Sequence, residues 1–215
     1  MARVLLAVPT FETITPDTFK ALWDMDRGGH DVAFEFVRGY DTASARNNIA
    51  EMALSNGADY LMMVDSDVTV PRDALTCLME HGQRVVTGYY MHRAKGTNAT
   101  TERTNVCRLA DAGGKPYFGY PAESQMTGAE LRGMRDSGET LVQVHGCGMG
   151  CVLIDVGVFH EARYPWFDWV NYPDDNRGLL SEDLYFCEQM HNECIPVHVD
   201  PRVSCGHLMR RIEHA

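Results

Sequence analysis

Residues 60–67 read Tyr60-Leu61-Met62-Met63-Val64-Asp65-Ser66-Asp67, an apolar run that stops on two carboxylates one residue apart. A short unbroken apolar segment suits a strand buried on both faces, and such strands belong to parallel sheets. Side chains alternate along a strand, so Asp65 and Asp67 are expected to face one spot where the strand meets its loop. Two carboxylates that close resist joint ionisation unless a cation lies between them. A bound divalent metal is the simplest relief, and a common task for such a metal beside a sheet is to hold a diphosphate.

Outward from this point the same grammar repeats. Residues 4–8 form another apolar run, closed by Pro9, and residues 16 to about 27 carry Phe19, Leu22 and Trp23 at helical spacing before Gly28-Gly29. Residues 32–37 read as a second strand. Residues 42–56 read as a helix with Ala45, Ile49, Met52 and Ala53 on one face, and Pro71 opens a further helix that turns Ala74, Leu75, Leu78 and Met79 inward. Residues 84–90 make the fourth strand. This alternation predicts an α/β fold, a mostly parallel central sheet with helices on both faces that binds ligands at the carboxyl ends of its strands.

From about residue 91 to residue 139 the regularity fails. Val106-Cys107-Arg108-Leu109 and Pro116-Tyr117-Phe118-Gly119-Tyr120 flank Asp111-Ala112-Gly113-Gly114 like a hairpin, followed by a polar stretch, and the segment reads as an insertion over the site. Residues 141–144 and 151–154 resume as strands, 156–162 as a short helix, 184–192 as a helix and 196–199 as a last strand.

Length and composition fit one domain with a real core, 215 residues of which 45% are hydrophobic. The formal net charge of -11 argues against a tight grip on a polyanion, because nucleic-acid affinity rests on Lys and Arg neutralising phosphates. No stretch approaches the roughly 18 apolar residues of a membrane span, so no integral membrane contact is expected. Met1-Ala2-Arg3-Val4 leads directly into a strand, which reads as a cytoplasmic protein. Seven cysteines is an odd count, and Cys77, Cys107, Cys187 and Cys194 sit in apolar patterns that suit reduced, buried thiols. Cys147 and Cys151 lack the second ligand pair of a structural zinc site.

With its surroundings, the strand-end Asp65-Ser66-Asp67 resembles the GT-A class of nucleotide-sugar glycosyltransferases, the family 2-like group, in the small form found in bacteria and their phages. The resemblance is carried in order by Val8-Pro9-Thr10, Ala45-Arg46-Asn47, Asp65-Ser66-Asp67, Gly146-Cys147-Gly148-Met149-Gly150, Ser181-Glu182-Asp183 and His207. It implies a metal-dependent glycosyltransferase that moves a sugar from a nucleoside-diphosphate sugar to an acceptor hydroxyl. Residues 1–215 would form one GT-A domain, with 1–90 the nucleotide-donor-binding half, 91–140 the insertion and 141–215 the acceptor and catalytic half.

Each residue of the pattern has a chemical task. Asp65 and Asp67, with His207 completing the shell, would hold Mn2+ or Mg2+, which neutralises charge on the leaving nucleoside diphosphate. His198 competes with His207 for that place, and Asp67 also suits a loop cap before Pro71. By resemblance Asp183 is the general base and Glu182 an acceptor contact, although acids in a first helical turn are also favoured by the helix dipole. Pro9, Thr10 and Glu12, with Asp65 and Ser66, would bind the donor nucleoside. Arg46 could reach base or diphosphate, or serve as a surface cap or ion-pair partner, and Asp41 is a further candidate.

Gly148 and Met149 lie in the loop expected beneath the donor sugar, where glycines admit close backbone approach. Tyr164-Pro165-Trp166-Phe167-Asp168-Trp169 could shape the acceptor site. A glycan, a metabolite, a protein and a modified DNA base all stay open as acceptor. A nucleotidyltransferase would be expected to carry a Gly-rich, basic phosphate loop after the first strand, which Pro9-Thr10-Phe11-Glu12 does not provide. A non-catalytic nucleotide-sugar or glycan-binding protein on the same scaffold is the other alternative.

Overall fold

The structure, a computed structural model, describes residues 1–93, 100–108, 124–172 and 178–208. The first half alternates as expected: β1 (Arg3–Thr10), α1 (Pro16–Trp23), β2 (Asp31–Arg38), α2 (Thr42–Ser55), β3 (Tyr60–Val64), β4 (Val68–Thr69), α3 (Ala74–Glu80) and β5 (Val85–Tyr89). The middle holds β6 (Met91–Arg93), β7 (Thr100–Cys107), β8 (Gln125–Thr127) and α4 (Gly128–Asp136). Then come β9 (Val142–Val144), β10 (Gly146–Cys147), β11 (Cys151–Asp155), α5 (Val158–Glu161), β12 (Val170–Tyr172), β13 (Gly178–Leu180), α6 (Glu182–Asn192), β14 (Val197–Ser204) and β15 (Gly206–His207).

The central sheet has seven strands in the order β2-β1-β3-β11-β5-β14-β9. β2, β1 and β3 run parallel, as do β5 and β14. β11 is inserted against them between β3 and β5, and β9 runs antiparallel to β14 at the edge. Apolar runs look alike in either direction, so the sequence pattern does not disclose this reversal. Its consequence is local. Because β11 runs backward, its first residue Cys151 lies opposite Val64 at the last position of β3, and the glycine-rich segment before it arrives at the strand end that carries Asp65.

Period-two alternation sorts the strand residues into two separate clusters. Leu5, Ala7, Leu61, Met63, Val152 and Ile154 pack with Ile49, Ala50 and Ala53 of α2 and with Phe186 and Met190 of α6. Val4, Leu6, Val8, Met62, Val64 and Leu153 pack with Leu22 of α1 and with Ala74, Leu75 and Leu78 of α3. Helix starts follow local chemistry. The Thr15 side chain accepts from Thr18 N–H with Pro16 behind it, and Asp41 Oδ1 accepts from Ser44 N–H at 2.8 Å, so the Asp41 carboxylate is the N-cap of α2.

Four readings of the sequence change. Helix α1 stops at Trp23, short of residue 27. The supposedly irregular 91–139 segment contains strands that form a second sheet, in which β7 pairs with β6, β8 and β10, followed by helix α4. That helix opens on a capping box, Thr127 N–H to Glu130 Oε2 at 2.7 Å and Glu130 N–H to Thr127 Oγ1 at 3.2 Å, a signature present in the sequence as T-x-x-E. The hairpin expected around residues 111–114 lies outside the described residues. The last long strand runs on to Ser204 through Pro201, which the sheet accommodates because the β5/β14 register shifts between Val199 and Ser204. All seven cysteines are free, and Cys194, expected in the core, is exposed after α6. Among the described residues no helix is long and apolar enough to cross a membrane.

Asn47 fixes the aromatic segment to α2. Its Nδ2 donates to Ala43 O at 3.0 Å and Phe167 O at 2.7 Å, while its Oδ1 accepts from Trp166 N–H at 3.0 Å and Phe167 N–H at 3.2 Å. Trp166 and Phe167 are thereby buried in the core, whereas Tyr164 and Trp169 stay exposed. Asn47→Ala orphans three buried backbone groups and is expected to cost about 2–4 kcal/mol. A melting temperature lower by roughly 5–15 °C is the expected reading, and an unchanged one refutes the clamp.

Candidate active site

Strand β3 ends at Val64, and Val68 N–H donates to Asp65 O at 3.1 Å, so Asp65 to Asp67 form a turn rather than a strand end. Alternation therefore no longer brings the two carboxylates together, and each takes its own partner. Asp65 Oδ1 accepts from Arg46 Nη2 at 2.9 Å. Asp67 Oδ2 lies 3.7 Å from His207 Nε2, placed there by the pairing of β15 with β4, in which His207 is opposite Val68, and by Leu208 N–H donating to Asp67 O at 2.8 Å.

His207 Nδ1 sits 3.1 Å from Met91 O. A carbonyl can only accept, so Nδ1 carries a proton, and Nε2 is the ring nitrogen turned toward Asp67. A carboxylate oxygen and an imidazole nitrogen in that relation suit a divalent cation of the Mn2+ or Mg2+ type. His198, on β14, lies near His81 and not at Asp67.

Behind this pair is a buried charge array. Arg46, on α2, is only 3% exposed, with Nε 3.8 Å from Glu182 Oε1. Burial works against its charge, but Asp65, Glu182 and Asp183 outweigh it and raise its pKa above the ordinary range. The Asp65 carboxyl is pushed up by burial, drawn back by Arg46 and pushed up again by Asp67, so the two aspartates remain within electrostatic reach. Glu182 is likewise raised, by burial first, with Arg46 opposing and Asp183 adding. Arg46 is thus turned inward and caps no surface.

Asp183 is held from below. Ser181 Oγ donates to Asp183 Oδ1, and Leu184 N–H does so at 2.8 Å, so Ser181 secures this carboxylate instead of capping the backbone of α6. Its Oδ2 faces Gly148, 3.3 Å from where a Cβ would stand. Tyr90 Oη is 2.6 Å from the same point, and a Cβ on Gly150 would fall 2.7 Å from the Tyr90 ring. Glycine at 148 and 150 is what admits this buried tyrosine.

Asn105, fully buried, locks the loop. It accepts from Tyr90 N–H at 2.8 Å and donates to Gly148 O at 3.3 Å, while Gly148 N–H donates to Asn105 O at 2.9 Å. Met149, expected beneath a donor, points into the core at 1% exposure, so only its backbone faces the loop's surroundings.

The cleft in front has a volume of about 350 Å³ and is lined by Pro9, Thr10, Ala45, Asp65, Ser66 and Asp67. A second hollow of about 240 Å³, lined by Glu12, Thr15, Ser66 and Asp67, continues it. Of the residues singled out in the sequence, Pro9, Thr10, Glu12, Asp65, Ser66 and Asp67 meet around these hollows. Arg46, Glu182, Asp183 and Gly148 form the array behind, with His207 at its side.

Sequence reasoning missed Tyr90, Asn105 and the role of Asn47. Asn105 sits in a polar segment that gives no periodic signal, and Tyr90 reads as the last residue of an apolar strand. Elsewhere Glu80, His81 and Asp200 bring ligand atoms within 4.8 Å of one another. Arg202 already fills that cluster, its Nη2 standing 2.6 Å from Asp200 Oδ2 and 3.3 Å from His81 Nε2.

These elements and their order define a GT-A-like fold. No protein-family model and no curated protein matches the chain in sequence. Among solved structures, A197 from STIV is similar at a TM-score of 0.61 and 17% identity, over 97% of this chain and 86% of that one. GalNAc-T7, solved with UDP, GalNAc and Mn2+, is similar at 0.64 and 10% identity, over 98% of this chain and 44% of that one. S. aureus TarS 1–349, solved with UDP-GlcNAc, is similar at 0.53 and 12% identity, over 99% of this chain and 60% of that one. The chain thus spans less than two thirds of GalNAc-T7 and of TarS 1–349, and the likeness is one of fold.

Arg46→Met leaves Asp65 and Glu182 without their cation, at an expected cost of about 3–5 kcal/mol. Both carboxyls already titrate above their ordinary values, and such groups weaken the fold as pH rises through and beyond the ordinary carboxylate range. Denaturant melts should therefore show a larger deficit for the variant at about pH 8 than at about pH 5. A pH-independent deficit contradicts the array.

Proposed function

We propose that the chain is a metal-dependent glycosyltransferase that moves a sugar from a nucleoside-diphosphate sugar to an acceptor hydroxyl. One observation carries this reading: the Asp67–His207 pair and the Asp65–Arg46–Glu182–Asp183 array stand together at the end of β3, on the rim of a cleft lined by Pro9, Thr10 and Ser66. Two structures of similar fold, solved with UDP and Mn2+ or with UDP-GlcNAc, support it.

In this reading Pro9, Thr10, Glu12 and Ser66 take the nucleoside, and the backbone around Gly148 underlies the donor sugar. Asp67 and His207 hold Mn2+ or Mg2+, with Asp65 adjacent. When bound, the ion supplies Lewis-acid neutralisation of the departing diphosphate. Asp183 takes the proton of the acceptor hydroxyl through Oδ2, the oxygen that faces the Gly148 loop, while Ser181 and Leu184 hold Oδ1. Glu182, buried and facing Arg46, acts as counter-charge rather than the acceptor contact the resemblance implied. The seven free thiols suit a reducing, cytoplasmic setting. Residues 1–90 and 141–215 act as donor and acceptor halves of one domain.

A thermal-shift panel of nucleoside diphosphates with and without Mn2+ tests the class. One nucleotide should stabilise the protein only with metal, by about 2.7 kcal/mol at a hundredfold excess over Kd. Asp67→Asn and His207→Ala should abolish that metal-dependent part, and a panel with no stabilising nucleotide refutes the proposal. Asp183→Asn should keep donor stabilisation while transfer falls roughly 100- to 10,000-fold. Undiminished transfer by Asp183→Asn would remove it as the base.

A further inference from the structure

Tyr90 follows β5 and stands between the two halves of the site. Its ring meets the His207 ring edge to face, with centroids 5.1 Å apart. The next residue, Met91, supplies the carbonyl that holds His207 Nδ1. The hydroxyl end projects the other way. It lies over Gly148 and Gly150, 2.6 and 2.8 Å from where their Cβ atoms would stand, and shares the space above Gly148 with Asp183 Oδ2.

Tyr90 is itself only 7% exposed, and its own amide and carbonyl are both bonded to Asn105, at 2.8 and 3.1 Å. The side chain is thus enclosed, packed in the core cluster that also holds Val64 and Val203, and it reaches both His207 and the glycine loop from there.

We propose that Tyr90 is a positioning residue: its ring sets the plane of His207 beside Asp67, and its hydroxyl sets the glycine loop against Asp183. The ring serves the metal side and the hydroxyl serves the base side. What the site does with that order rests on the glycosyltransferase reading, but the positioning itself does not. The hydroxyl keeps its proton, since burial and the nearby Asp65 and Asp183 charges push its pKa well above the usual phenol value. It is therefore an uncharged strut that adds no fourth negative group to the array.

Two variants separate the two ends, Tyr90→Phe keeping the ring and Tyr90→Ala removing both, each checked for folding by its melting temperature. In the ligand-free protein, Tyr90→Phe should speed amide hydrogen exchange at Gly150 about tenfold, because the hydroxyl that packs over the two glycines is gone and the loop opens locally, while leaving the 15N shifts of the His207 ring unchanged. Tyr90→Ala should alter both. In Mn2+ titrations, Tyr90→Phe should stay within about twofold of the unsubstituted protein and Tyr90→Ala should weaken roughly 10- to 100-fold, the range for residues that orient a ligand.

Unchanged Gly150 exchange in Tyr90→Phe, or unchanged His207 shifts in Tyr90→Ala, overturns the proposal. A Tyr90→Phe protein that binds Mn2+ as poorly as Tyr90→Ala also overturns it, since the ring is then not what orients His207. Should the unsubstituted protein bind no Mn2+ while the ligand-free changes occur as described, the metal reading falls and the positioning role stands.

Discussion

One buried guanidinium holds the site together. Arg46 is enclosed by protein on α2, yet Asp65 from the end of β3 and Glu182 from the start of α6 both turn toward it. Placing a cation there is costly without partners, and placing the carboxylates there is costly without the cation. Neither side of the array is stable alone, so α2, β3 and α6 must meet in one arrangement. The rest of α2 is shaped to allow it: Ala43, Ala45, Ala50 and Ala53 are small enough to bring the helix against the sheet, and the neighbouring Asn47 secures residues 166–167 from the same turn.

The second constraint is the direction of β11. A parallel strand between β3 and β5 would deliver its preceding loop to the opposite edge of the sheet, away from Asp65. Running backward, β11 brings Gly150 within hydrogen-bonding distance of Asp65, whose N–H donates to Gly150 O at 3.1 Å. The glycines then have to pass beside Tyr90, and their missing side chains become necessary. Strand polarity and loop composition thus solve one packing problem.

Much of this was legible in the residues themselves. Apolar runs of strand length separated by helical spacings disclosed β1 to β5 and the three helices between them, because burial on both faces leaves a strong local imprint. The meeting of Pro9, Thr10, Asp65, Ser66 and Asp67 followed from placing ligands at strand ends. What escaped depends on tertiary partners. The inward turn of Arg46 and Glu182, the burial of Met149 and the enclosure of Tyr90 by two glycines are set by residues far away in sequence. The α4 capping box is different: it is local, and Thr127 with Glu130 could have been read. Alternation misled at Asp65 and Asp67 because the strand stops with the apolar run at Val64, one residue short of Asp65, instead of running into it.

That one-residue difference decides how the two carboxylates divide their work. Had β3 continued, both side chains would have pointed to one place and competed for one cation. In the turn, Asp65 has its charge largely answered inside the protein by Arg46, while Asp67 faces an imidazole whose Nδ1 proton is committed to Met91 O. The short turn from Asp65 to Asp67 thus sets the two carboxylates on different partners, an arginine built into the fold for Asp65 and an imidazole at the rim of the cleft for Asp67.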